Sequence, residues 1–227
     1  MSALTSVRPV VGQASRRSVA YAFLAAAGSW LVYVALIATL TADYEQALEK
    51  AADASGTAVN RLPAETLAEL AAEHPASNVT GVFLLLVPAL LLIATRRLAT
   101  ITGDRWGVRF GWAGAVVLWS YLGLTFGLLA DPDSLPPLTR DLDVLTVPLV
   151  SAGSVLGIAA FVASVLALRR HGCRRVACTV AVVLVVADLV ISTVLLVTSG
   201  FDEPIAPIAL LPAELIVGIA LLIGSRR

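Results

Sequence analysis

Asp188 and Glu214 have the most chemistry open to them, because each acid stands near the centre of an apolar run that offers it no arginine or lysine. A carboxylate at the centre of a bilayer costs at least about 2.5–3.5 kcal/mol, so it needs a partner, a water-filled cavity or a proton. Asp188 lies 11 positions before Ser199, and Glu214 nine positions after Ile205. At the helical rise this sets both about 14–17 Å below the ends of adjacent antiparallel helices, at nearly one depth. If both face inward, two carboxyls at low dielectric cannot easily both ionise, and the pair would hold one proton or one cation. Ser192 and Thr193, one turn from Asp188, could add oxygen ligands, as could the carbonyl of Ile208, which Pro212 leaves without its helical donor. The plainer expectation is that a protonated acid hydrogen-bonds a neighbouring helix and fixes packing.

Other reactive groups carry less. Cys173 and Cys178, near His171, have a spacing that fits neither a redox pair nor a common zinc site. The chain has no phosphate-binding glycine loop, serine nucleophile elbow or zinc-protease helix signature. Intramembrane aspartyl proteases use Tyr-Asp and Gly-x-Gly-Asp, and Asp188 follows Val185-Val186-Ala187 instead. These features point away from an enzyme, and no cofactor or metal is expected. Glu45, Glu49 and Asp53, and Glu65, Glu69 and Glu73, recur four apart, which destabilises a helix mildly and reads as a solvated acidic face. A cation-attracting vestibule with His74 is the weaker reading of the same residues, since no set of nitrogen or sulfur ligands accompanies them.

The elements that must position these residues are written in the hydropathy. The chain is 58% hydrophobic and 14% charged, against about 25% charged in soluble domains. Sixteen basic residues balance sixteen acidic ones, with no basic tail for nucleic acid. Spanning a bilayer core of about 30 Å takes about 20 apolar residues as helix, since every backbone amide must be satisfied within the segment. Six runs qualify: 19–40, 79–95, 110–130, 144–168, 176–199 and 205–224. The one sizeable connection, 41–78, carries two helical patterns, Tyr44-Ala47-Leu48-Ala51 and Leu67-Leu70-Ala71, with Gly56 and Asn60 at the turn between them. Small residues four apart, Gly107 with Gly111, Gly123 with Gly127 and Gly153 with Gly157, mark close-packing seams that bring the third and fourth runs together.

Charge sets the orientation. Thirteen of the sixteen basic residues fall before run one, between runs two and three, between four and five, and after six; Lys50, Arg61 and Arg140 lie opposite, with most of the acids. Arginines retained inside place both termini in the cytoplasm. The Ser15-Arg16-Arg17-Ser18 sequence resembles a twin-arginine leader, but the apolar run after it is long enough to span and is followed by five more. One lysine against fifteen arginines, with abundant alanine, is the composition of a high-GC bacterial genome.

The expectation is an all-α polytopic membrane protein: one membrane domain over residues 1–227, a six-transmembrane-helix bundle with a short helical extracytoplasmic loop, in the plasma (inner) membrane. Its partners are the lipid bilayer, a proton or cation at Asp188, Glu214, Ser192 and Thr193, and a membrane-protein partner or second copy, without nucleic acid. The functional expectation is a small proton- or cation-linked transporter; the alternative is a non-transporting bundle that binds lipid or a partner membrane protein.

Overall fold

A computed structural model describes residues 13–40, 42–74, 77–130, 146–171, 174–200 and 204–224. These fold into eight α-helices: α1 Gln13–Leu40, α2 Ala42–Ser55, α3 Ala64–Glu73, α4 Ser77–Thr102, α5 Trp106–Ala130, α6 Thr146–Arg170, α7 Arg175–Thr198 and α8 Leu210–Gly224. Four of them, α1, α4, α6 and α7, are long and apolar enough to cross a membrane. α5 is 25 residues long and apolar apart from Arg109 in its first turn and a few hydroxyl side chains. α8 has 15 residues, a rise of about 22 Å that falls short of a hydrocarbon core of about 30 Å.

The long helices form a ring in which α1 packs on α4 and α8, α8 on α7, α7 on α6, α6 on α5 and α5 on α4, while α4 also reaches α6 across the middle. Its interior holds Phe23 of α1, Leu91 and Leu98 of α4, Phe161 and Val165 of α6, Val185 of α7 and Val217 of α8. Phe23 and Phe161 meet edge to face with ring centroids 6.0 Å apart, the arrangement that the ring quadrupoles favour. α7 lies at the rim and turns Val176, Val183, Val190, Ile191 and Val197 outward, each more than half exposed. An apolar surface of that extent is stable only against lipid or another apolar body.

The most extensive helix pairing is between α5 and α6. A β-carbon on Gly114 would lie 3.1 Å from the Gly153 carbonyl oxygen and 3.2 Å from the Gly157 amide nitrogen, and one on Gly153 would lie 2.6 Å from Leu118 Cγ. Glycine there lets two backbones touch where no apolar driving force separates protein from lipid. Of the small pairs noted in the sequence, Gly107, Gly111, Gly153 and Gly157 face this seam or the α4 side chains beside it, whereas Gly123 faces open space.

Residues 42–74 form a small two-helix cap. Gly56, at φ 65°, closes α2: the Thr57 amide donates to the Ala52 carbonyl and the Gly56 amide to that of Asp53, the Schellman ending that only a left-handed residue permits without strain. A short 3-10 turn, Val59–Arg61, then leads into α3. Leu48, Ala52 and Leu62 make the cap's own core, with Tyr44, Leu67 and Leu70 against it. Burial, followed by the neighbouring Glu49, raises the Glu45 carboxyl above the ordinary carboxylate range. Among the described residues no three of His, Cys, Asp and Glu gather closely enough to hold a metal ion.

The sixth apolar run departs from expectation. The hydropathy predicts helix from residue 205, but helix begins only at Leu210, and 204–209 is irregular or turned. Pro204 and Pro207 explain the delay: neither can donate to a helical ladder, and each disfavours α geometry in the residue before it. Pro212 falls in the first turn of α8, where its missing amide hydrogen would have had no partner in the helix. α4 departs the other way, running on as helix past the double arginine to Thr102 before Gly103, at φ 72°, ends it.

Candidate functional site

A non-helical stretch beside helices apolar and long enough to cross a membrane needs partners for its backbone within the protein, because apolar surroundings supply none. Segment 204–209 finds them on three side chains. The Ile205 amide donates to Ser151 Oγ of α6 at 3.0 Å. One turn apart on α7, Ser192 Oγ donates to the Ala206 carbonyl at 3.4 Å, and Asp188 Oδ2 accepts from the Ala209 amide at 3.2 Å. Asp188 thus sits where an N-cap carboxylate would, at the positive end of the α8 dipole, although it comes from a different helix. It is half-buried.

These contacts fix the level at which α8 starts. Asp188 is 13 residues from the start of α7 and 10 from its end, about 20 Å and 15 Å along the axis. Helix α8 therefore opens near the mid-height of α7 and runs back alongside it, reaching about the level of Arg175. Residues 204–209 lead into that point without helical structure.

Glu214 stands one turn into α8, on the stripe Leu210, Ala213, Val217 and Leu221 that packs into the central core with Phe23, Phe161 and Val185. It is 0% exposed, and neither carboxyl oxygen has a hydrogen-bond partner among the described residues. α1 closes over this face: a β-carbon on Gly218, one turn further along, would meet Leu24 Cγ at 2.8 Å and the Ala20 carbonyl oxygen at 3.3 Å. A neutral polar group buried this way costs about 1–3 kcal/mol, and an ionised one far more.

The four residues singled out in the sequence therefore divide. Asp188 and Ser192 act together on the entry to α8. Thr193 turns back to the Leu189 carbonyl of its own helix, at 2.7 Å, on the exposed side. Glu214 lies apart, and since its oxygens accept and donate nothing, no hydrogen bond joins it to Asp188. Ser151 escaped sequence reasoning altogether; only the Pro204 and Pro207 punctuation signalled that buried backbone would need side-chain partners there.

At the opposite, arginine-rich end, the polar contacts are structural. Asp104 accepts from the Trp106 amide at 3.0 Å to start α5, Arg109 lies 5.0 Å over the Trp106 ring, and His171 Nε2 meets the Thr102 carbonyl at 3.1 Å, tying the end of α6 to α4. Cys178 is buried within the core, and Cys173 lies outside the described residues. No protein-family model, no curated protein and no solved structure matches this chain, so its chemistry is read from these residues alone.

Proposed function

We propose that this chain is a multi-pass protein of a bacterial plasma membrane, with six membrane segments and both termini cytoplasmic, that works as a small proton-linked transporter with Glu214 as its proton-carrying residue. The observation that carries the reading is the fully buried Glu214 carboxyl with both oxygens unpartnered. A lone carboxyl in an apolar core persists as the neutral acid, and releasing its proton requires the core to open to water. That requirement is the elementary step of coupling: proton release and a change of access become one event. Asp188 and Ser192 serve it indirectly, by holding the short helix that carries Glu214 at its mid-height start. Such interrupted helices, meeting polar groups near the bilayer midplane, are the usual way in which transporters place a site in lipid.

A proton suits the site better than a metal cation, because among the described residues no three of His, Cys, Asp and Glu gather where they could share an ion. The orientation rests on the arginine clusters and the acidic cap. To test the reading, the purified chain is reconstituted in liposomes containing a pH-sensitive dye, and the lumen is followed after a pH jump with a membrane potential imposed. The wild type is expected to move protons, or to do so when a library of small solutes is added, and Glu214→Gln to fall to the rate of empty liposomes. Equal rates for the two proteins would remove Glu214 from the role.

A further inference from the structure

We propose that the groove between α1 and α4 is a binding site for an anionic phospholipid, with the phosphate on Arg17 and Arg97 and an acyl chain along the apolar wall below. The two helices pack extensively, yet they leave a cavity of about 630 Å³ between them. At its upper end stand Arg17, Ser18 and Arg97, and its wall includes Tyr21, Ala25 and Ile93. The Arg97 guanidinium donates to the Ser18 hydroxyl, which holds it over the groove.

Charge identifies the occupant. Neither Arg17 nor Arg97 forms an ion pair among the described residues, and Asp104 is the one acid in the loops on this side of the sequence pattern. Two guanidinium groups lining one cavity repel each other until an anion sits between them, and the planar donor fork of arginine suits phosphate oxygens. Shape identifies the rest. Ala25 lies eight positions after Arg17 on α1, and Arg97 seven positions after Leu90 on α4. The lined stretch is therefore about 10–12 Å deep, most of one leaflet's hydrocarbon. Ile93 is 45% and Tyr21 61% exposed, so the groove opens sideways, where a lipid can enter from the bilayer. A tyrosine at the depth of the head groups is the usual interfacial anchor. The second arginine cavity, about 320 Å³ beside Arg169, Arg170 and Arg175, has only Leu166 as apolar lining and so gives an acyl chain nothing to lie on.

The inference does not depend on Glu214. It is tested on the full chain, delipidated in mild detergent and titrated with phosphatidylglycerol or with phosphatidylcholine of the same acyl chains, binding being counted by native mass spectrometry. The anionic lipid is expected to bind at least tenfold more tightly. Arg17→Gln with Arg97→Gln should weaken it roughly thirtyfold, the product of two basic contacts at a membrane surface. Arg16→Gln with Arg96→Gln, which removes the same charge from exposed neighbours outside the groove, should weaken it less than about threefold. Ala25→Leu, which leaves every charge in place and fills the wall, should also weaken phosphatidylglycerol, with circular dichroism unchanged. Equal losses from the two arginine pairs would mean diffuse attraction and overturn the site. Unchanged binding in Ala25→Leu, or full displacement of the lipid by inorganic phosphate, would mean that only the head group is held and would overturn the lipid groove.

Discussion

Glu214→Met is expected to raise the stability of the detergent-solubilised protein by about 1–3 kcal/mol while abolishing proton-dependent activity. Methionine matches glutamate in length and is apolar, so it fills the same space beside Ala213 and Val217 and removes two buried oxygens that bond to nothing. The gain is the desolvation cost of an unsatisfied polar group, and replacing buried ionisable groups with apolar ones of similar volume often has this sign. Glu214→Gln should change stability far less, because its amide is as poorly satisfied as the acid. Thermal midpoints of the three proteins, measured in one detergent, decide the matter. A large loss of stability in Glu214→Met would mean that the carboxyl supports the fold, which favours a packing role over a proton-carrying one. A gain would mean that the fold tolerates a group it would be more stable without, as is common where function requires strain.

The second large effect is expected at Asp188. Asp188→Leu should destabilise the protein by about 1–3 kcal/mol, because it leaves the Ala209 amide without its acceptor at a helix entry away from water. Asp188→Asn keeps an acceptor oxygen and should lose less than half as much. The damage should be local first: amide exchange over residues 205–210 should accelerate in Asp188→Leu while that of α4 and α6 stays slow. Uniform acceleration would mean that Asp188 supports the whole bundle, and no change would mean that the Ala209 contact contributes nothing. The pair of experiments separates the two acids: one is predicted to stabilise the fold and the other to cost it.

Much of this architecture is legible in the residues. The small residues at 107, 111, 153 and 157 anticipate the α5–α6 seam, because close backbone approach in lipid has few other chemical solutions. Their spacing could not exclude Gly123 or bring in Gly114, since which small residue meets a neighbour depends on where that neighbour crosses. The two short helices of residues 42–74 follow from local periodicity and Gly56. The start of α8 did not follow, because Ile205, Ala206, Ile208 and Ala209 are as apolar as any helix and hydropathy does not register the backbone geometry that Pro204 and Pro207 impose. The end of α4 lies beyond its apolar run for a related reason: the double arginine ends the run but not the helix.

The two acids illustrate the limit most plainly. α8 is apolar on every side, so periodicity gives no clue to which face is buried. Continuous helices would set Asp188 and Glu214 at one level. The break displaces that register: Asp188 aligns with Ala209, five residues before Glu214, about 7 Å along a helix. Of two acids that could have shared a proton, Asp188 accepts from a backbone amide and Glu214 has no hydrogen-bond partner among the described residues.

The most direct measurement is the infrared carbonyl region of the purified protein at neutral pH, comparing wild type with Glu214→Gln. A protonated carboxyl free of hydrogen bonds has a C=O stretch separate from the amide and carboxylate bands. One such band is expected in the wild type, absent from Glu214→Gln, retained in Asp188→Asn and slow to shift in deuterium oxide. A wild type without it, and with an additional carboxylate signal lost in Glu214→Gln, would mean that Glu214 is ionised in the folded protein and would contradict the proposal.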